Sequence, residues 1–263
     1  PFPGQSPGAN TGPGRLPFPT REQTILPDNL TTDFVVDLER VGESWRFRYR
    51  DAETRLEYEV RAGTRFWEPV VVTLNGAVVA RAMAEAGPQF VAEAEDTRLI
   101  EAQAVGNELK ATWRARVNGT EVVIQSTSRL WQKSLVVDCV CTGGLATGLS
   151  YGRIEGVENP ELLRLPYMNY GGHHLNVLMS KGKTPYFASV WMDWYRSNAS
   201  APYCVDKIDA DEVQLNGGVR YQPKTDGRRN DLYERFFVTF SPTFEETLAT
   251  IANPPAKRGR EAA

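Results

Sequence analysis

After residue 30 the chain alternates apolar and polar residues in short runs separated by turn-forming pairs. In SWRFRYR the rings of Trp45, Phe47 and Tyr49 fall on one side and Arg46 and Arg48 on the other, the period of two that marks a half-buried strand. TRLEYEV repeats the pattern through Leu56, Tyr58 and Val60. VVVTLNGAVVA is centred on Asn75-Gly76, and LKATWRARVNGTEVVIQ on Asn118-Gly119; this dipeptide accepts the positive φ of a tight hairpin. A third turn, Asn216-Gly217-Gly218, lies between EVQL and VRYQP. Alternating flanks around three such turns predict an antiparallel all-β protein.

Helical periodicity is confined to two places. VARAMAEAG, ahead of Pro88, allows a turn or two of helix. PTFEETLATIAN has a proline start, an acidic first turn and Phe244, Leu248 and Ile251 at helical spacing, which predicts a helix over 242–252. Residues 1–30 are rich in proline and glycine and predict an extended lead, lying along the body or loose and without function. The remainder divides into a single domain over 31–252 and a linker-like tail over 253–263, opened by Asn253-Pro254-Pro255.

Composition narrows the function classes. A chain of 263 residues with 41% hydrophobic content can bury one large core. A net charge of −3 with both signs interspersed leaves no electrostatic footprint for nucleic acid or an anionic membrane. No run approaches the roughly 18 apolar residues that span a bilayer. The chain begins at Pro1, which reads as a processed or trimmed chain with room for a removed signal peptide; the expected location is secreted or periplasmic. Cys139, Cys141 and Cys204 form no CxxC, so they read as small buried hydrophobes rather than a zinc site.

Chemistry concentrates in residues 167–200, YMNYGGHHLNVLMSKGKTPYFASVWMDWYRSNAS. Aromatic faces beside amides, a carboxylate and a guanidinium suit a sugar, whose C–H faces stack on rings while its hydroxyls need donors and acceptors. Tyr170, Trp191 and Trp194 are the candidate platforms, and His173, His174, Asp193, Arg196 and Asn198 the candidate hydrogen-bonding partners. Trp191 and Trp194 are three apart and face opposite ways on a regular strand, one in the core and one available. The competing reading makes all these rings core. His174 with Glu234 is the acid–base pair to test, against a reading of Glu234 as an ordinary strand salt bridge to Arg235 or Arg229. Two histidines are too few for a convincing metal centre, and no GxSxG, P-loop or dinucleotide motif occurs. No cofactor is expected.

The long all-β region, the YMNYGG and YFASVWMDWYRSN stretches and the exit FEETLATIANPP together resemble the N-terminal β-super-sandwich domain of large glycoside hydrolases. That domain is similar to galactose mutarotase and occurs in the endo-α-N-acetylgalactosaminidase group. The resemblance implies an accessory domain that packs on a following (β/α)-barrel, holds glycan and leaves catalysis to the barrel. Mutarotase-like chemistry uses two histidines well separated in sequence, whereas His173 and His174 are adjacent here. A free-standing mutarotase-like enzyme and a purely structural domain are the alternatives.

Overall fold

A computed structural model describes residues 24–170 and 173–250, the side chains of 166–170 and 173–175 excepted. One eight-stranded sheet runs in the order β1 (Val35–Val41), β2 (Ser44–Arg50), β3 (Arg55–Val60), β6 (Val70–Leu74), β7 (Ala77–Ala84), β14 (Arg153–Glu155), β20 (Glu212–Leu215) and β19 (Asp206–Asp209). A second runs β15 (Pro160–Tyr170), β16 (His173–Ser180), β17 (Tyr186–Ser197), β22 (Leu232–Ser241), β12 (Ser134–Cys141), β11 (Thr120–Trp131), β10 (Glu108–Val117) and β9 (Glu95–Val105). A four-stranded sheet joins β18 (Ala201–Tyr203), β21 (Gly218–Arg220), β13 (Ala146–Ser150) and β8 (Gly87–Phe90), and β4 (Ala62–Gly63) pairs with β5 (Phe66–Trp67). Every register among the described residues is antiparallel. The all-β sandwich predicted by the alternation is present.

The main core lies between the two large sheets. Phe47, Tyr58 and Val72 from the first meet Trp113, Ile124, Val137 and Phe236 from the second. Polar atoms inside it are satisfied locally: Trp113 Nε1 donates to the Gly63 carbonyl at 2.8 Å, and Tyr58 Oη donates to the Lys133 carbonyl at 2.7 Å. The Asn75-Gly76 turn, with φ of 50° and 85°, closes β6 onto β7, and Asn118-Gly119, at 48° and 74°, closes β10 onto β11.

The outer faces of the two sheets differ. On the first, arginines and carboxylates interleave: Arg48 Nε lies 2.6 Å from Asp37, and Arg46 Nη2 lies 3.1 Å from Glu59. On the second, a smaller apolar cluster of Ile25, Leu26, Val136, Val177, Trp191 and Phe237 is overlaid by Phe244, Leu248 and Ala249. The entering and leaving segments lie side by side there, with Thr250 N donating to the Ile25 carbonyl at 3.0 Å. Residues 24–30 of the proline-rich lead therefore pack against the body; 1–23 and 251–263, with the expected tail, lie outside the described residues.

Three local expectations are corrected. VARAMAEAG continues β7 as a strand, because the Asn75-Gly76 hairpin delivers it into register with β6, Val72 opposite Ala80 and Val70 opposite Ala82. The helix over 242–252 shrinks to a 3-10 turn at Glu245–Thr247. Glu246 is drawn inward to Lys133 Nζ and Ser241 Oγ, both at 2.5 Å, and Leu248 leaves the turn in extended conformation. Asn216-Gly217-Gly218 closes no hairpin, since it carries the chain from β20 in the first sheet to β21 in the small one. Asn216 is buried at φ 55°, with Nδ2 donating to the carbonyls of Val190 at 2.8 Å and Asn176 at 3.2 Å.

Candidate functional site on the outer face of the second sheet

Strand parity decides which side chains reach this face. In β12, Val137, Cys139 and Cys141 join the main core while Val136 joins the outer cluster, so Asp138 points outward. In β22, Phe236 and Val238 point inward and Phe237 outward, which turns Arg235 and Tyr233 outward and Glu234 inward. In β11, Val122 and Ile124 face the core, leaving Gln125, Thr127, Arg129 and Trp131 on the outer side.

Arg235 stands directly opposite Asp138 in the ladder and grips it with two bonds, Nε to Oδ1 at 2.6 Å and Nη2 to Oδ2 at 3.0 Å. Burial opposes the charge of Arg235, but this bidentate pairing outweighs it and raises the guanidinium pKa. Arg129 approaches the same carboxylate only at 3.5 Å through Nη1. Burial, followed by the like charge of Arg235, lowers its pKa. Asp193, from β17, is fully buried beside them; its carboxylate accepts from Thr24 Oγ1 at 2.7 Å and from the Tyr195 amide at 3.2 Å, and burial raises its pKa. Rings flank this charged lattice: Trp131 is 38% exposed and Tyr233 is 36% exposed. The indole of Trp131 is fixed by Nε1 donating to the Pro27 carbonyl at 3.2 Å.

Glu234 belongs to a separate, interior site. It is 1% exposed, and burial pushes its carboxyl up to about 8 despite donors from its neighbours. Oε1 accepts from Tyr221 Oη, from Ser197 Oγ at 2.9 Å and from the Asn198 amide at 3.3 Å. Among the described residues, Oε2 and the nearby Tyr151 hydroxyl have no partner. The salt bridge to Arg235 or Arg229 does not form: Arg235 turns to Asp138, and Arg229 Nε donates to the Tyr221 carbonyl at 3.0 Å. Asn198 is likewise buried and structural, donating to the Asp231 carbonyl at 3.3 Å.

The two tryptophans of β17 do not face opposite ways. A register shift between Met192 and Ser197 breaks the alternation, so half-buried Trp194 packs on the same outer cluster that buries Trp191. Trp191, 2% exposed, has no free face on which a ring could stack. Arg196 lies close enough to Asp193 to favour its charge. Tyr170 pairs with His173 and Asn169 with His174 in the β15–β16 ladder, but the side chains of Tyr170, His173 and His174 lie outside the described residues. Sequence reasoning missed Arg129, Trp131, Asp138, Arg235 and Tyr233. Their signal was the outward parity of charged and aromatic residues within the apolar runs of β11, β12 and β22.

Neither protein-family models nor curated proteins nor solved structures match the chain.

Proposed function

We propose that this is a carbohydrate-binding accessory domain of galactose mutarotase-like super-sandwich type, which holds glycan on the outer face of its second sheet. The observation that carries the reading is the pair of part-exposed rings, Trp131 and Tyr233, flanking the Arg129–Asp138–Arg235 lattice. Rings supply apolar stacking faces, and a fixed lattice of donors and acceptors orients hydroxyls without being reorganised on binding. The sealing of Glu234 behind the sheet supports binding rather than catalysis, because a general acid or base must come within hydrogen-bond reach of its substrate. Within this reading a following (β/α)-barrel packs near the adjoining entry and exit segments, where half-buried Trp194 and Tyr195 offer amphipathic rings to an interdomain contact.

The test is titration of the chain with a panel of neutral and charged oligosaccharides, followed by NMR. Shifts are expected to cluster on Arg129, Trp131 and Tyr233. Trp131→Ala should weaken binding by about 1–3 kcal/mol and lower the melting temperature less than Trp191→Ala does, since the lost bond to Pro27 carries only a modest share of stability. The absence of shifts on this face with any oligosaccharide rejects the reading.

A further inference from the structure

The donors and acceptors on this face are unequally committed. The Asp138 carboxylate is occupied on both oxygens by Arg235. The Asp193 carboxylate is buried and held by Thr24 and the Tyr195 amide. Glu108, which stands opposite Arg129 in the ladder, lies 3.6 Å from Lys110. Arg129 makes only the one long contact with Asp138, and its side chain is 23% exposed. Of the charged groups in the lattice it is the one with most of its planar fork unspent. Trp131 follows two residues later on the same strand and the same face, so a stacking ring and a guanidinium stand roughly 7 Å apart along β11.

We infer that the glycan held here is acidic: a uronic-acid-type sugar whose ring lies on Trp131 and whose carboxylate is taken by the Arg129 fork. A guanidinium matches a carboxylate through two parallel N–H···O bonds, whereas a hydroxyl uses only part of that geometry. Asp138, Glu108 and Asp193 all favour the charge of Arg129, but among the described residues only Asp138 contacts it, singly and at 3.5 Å, so the paired geometry of its fork stays open to an incoming carboxylate. The inference rests on the carbohydrate reading and narrows it to a ligand class.

The experiment compares oligomers of galacturonate, glucuronate and mannuronate with the matching neutral hexose oligomers. Calorimetry is run on the wild-type chain, Arg129→Gln and Trp131→Ala, each checked by thermal melting. At least one uronate oligomer is expected to bind about tenfold tighter than its neutral counterpart, with the preference eroded by added salt. Arg129→Gln should remove that preference, weakening the uronate oligomer about tenfold more than its neutral counterpart, and Trp131→Ala should weaken both. Neutral and acidic oligomers binding alike, with no response to Arg129→Gln, overturns the acidic assignment and leaves the carbohydrate reading standing. Absence of binding by every oligomer overturns both.

Discussion

Glu234 shows what a single inward-pointing acid does to a sandwich core. Burial outweighs the hydroxyl and amide donors around it, and the neutral acid is favoured. The folded protein keeps the proton up to about pH 8, while the unfolded chain releases it near the ordinary value of 4.5. Between those limits the folded state binds more protons. This contribution to stability is therefore complete below about pH 4.5 and is lost as pH rises towards 8, at no more than about 1.4 kcal/mol per pH unit. Glu234→Gln should flatten the dependence and raise stability at pH 7.5 by about 1–3 kcal/mol, read from urea unfolding at several pH values. Parallel pH profiles for variant and wild type would exclude Glu234 as the titrating group. Trp191→Ala is expected to cost about 3–5 kcal/mol through the cavity it opens, in contrast to the exposed Trp131.

At the scale of elements, legibility followed locality. Strands β2, β3 and β10 were readable because their burial alternates as their sequences do. The helical reading of VARAMAEAG failed because alanine-rich composition reports local preference, and pairing with β6 overrode it. The faces of the β17 stretch do not follow from its sequence, because a bulge is set by partner strands that lie far away in sequence. The same reasoning explains the missed lattice: Arg129, Asp138 and Arg235 sit on three strands and meet only in the assembled sheet. Asn216 is the element-scale position most open to test, since one side chain ties the first sheet to backbone carbonyls in β16 and β17. Asn216→Ala loses those bonds and places a β-carbon residue without a capping amide at positive φ. Destabilisation of about 2–4 kcal/mol is expected by chemical denaturation; an unchanged midpoint would show that the crossing is held elsewhere.

Across the whole molecule, the two large sheets are joined by a shared core, and one buried charge ties the entering segment to the leaving one. Lys133 Nζ lies 2.5 Å from Glu246, 3.6 Å from Asp51 and 5.2 Å from the Tyr49 ring centroid. Glu246 also accepts from the Leu30 amide at 3.0 Å, so the entering and leaving segments converge on the same carboxylate. Lys133→Ala strands Glu246 without its cation and should cost about 3–5 kcal/mol in a denaturation experiment. Faster hydrogen exchange at Leu30 and Thr250 should accompany that loss, and unaltered exchange there would mean that the segments are fastened by their other contacts, among them Thr24 to Asp193 and Trp131 to Pro27.

The adjoining entry and exit segments also set how the described sandwich bears load. A pull applied through residues 24 and 250 meets first a few hydrogen bonds, Thr250 N to the Ile25 carbonyl, Thr24 to Asp193 and Thr250 to Asp28, and peels two short segments from an outer face while both sheets keep their ladders. Rupture of the sandwich then has to begin from strands that the peeling never loaded. Extension in an optical trap should accordingly show a small, low-force step before the main unfolding event, and the Lys133→Ala variant should lose that first step.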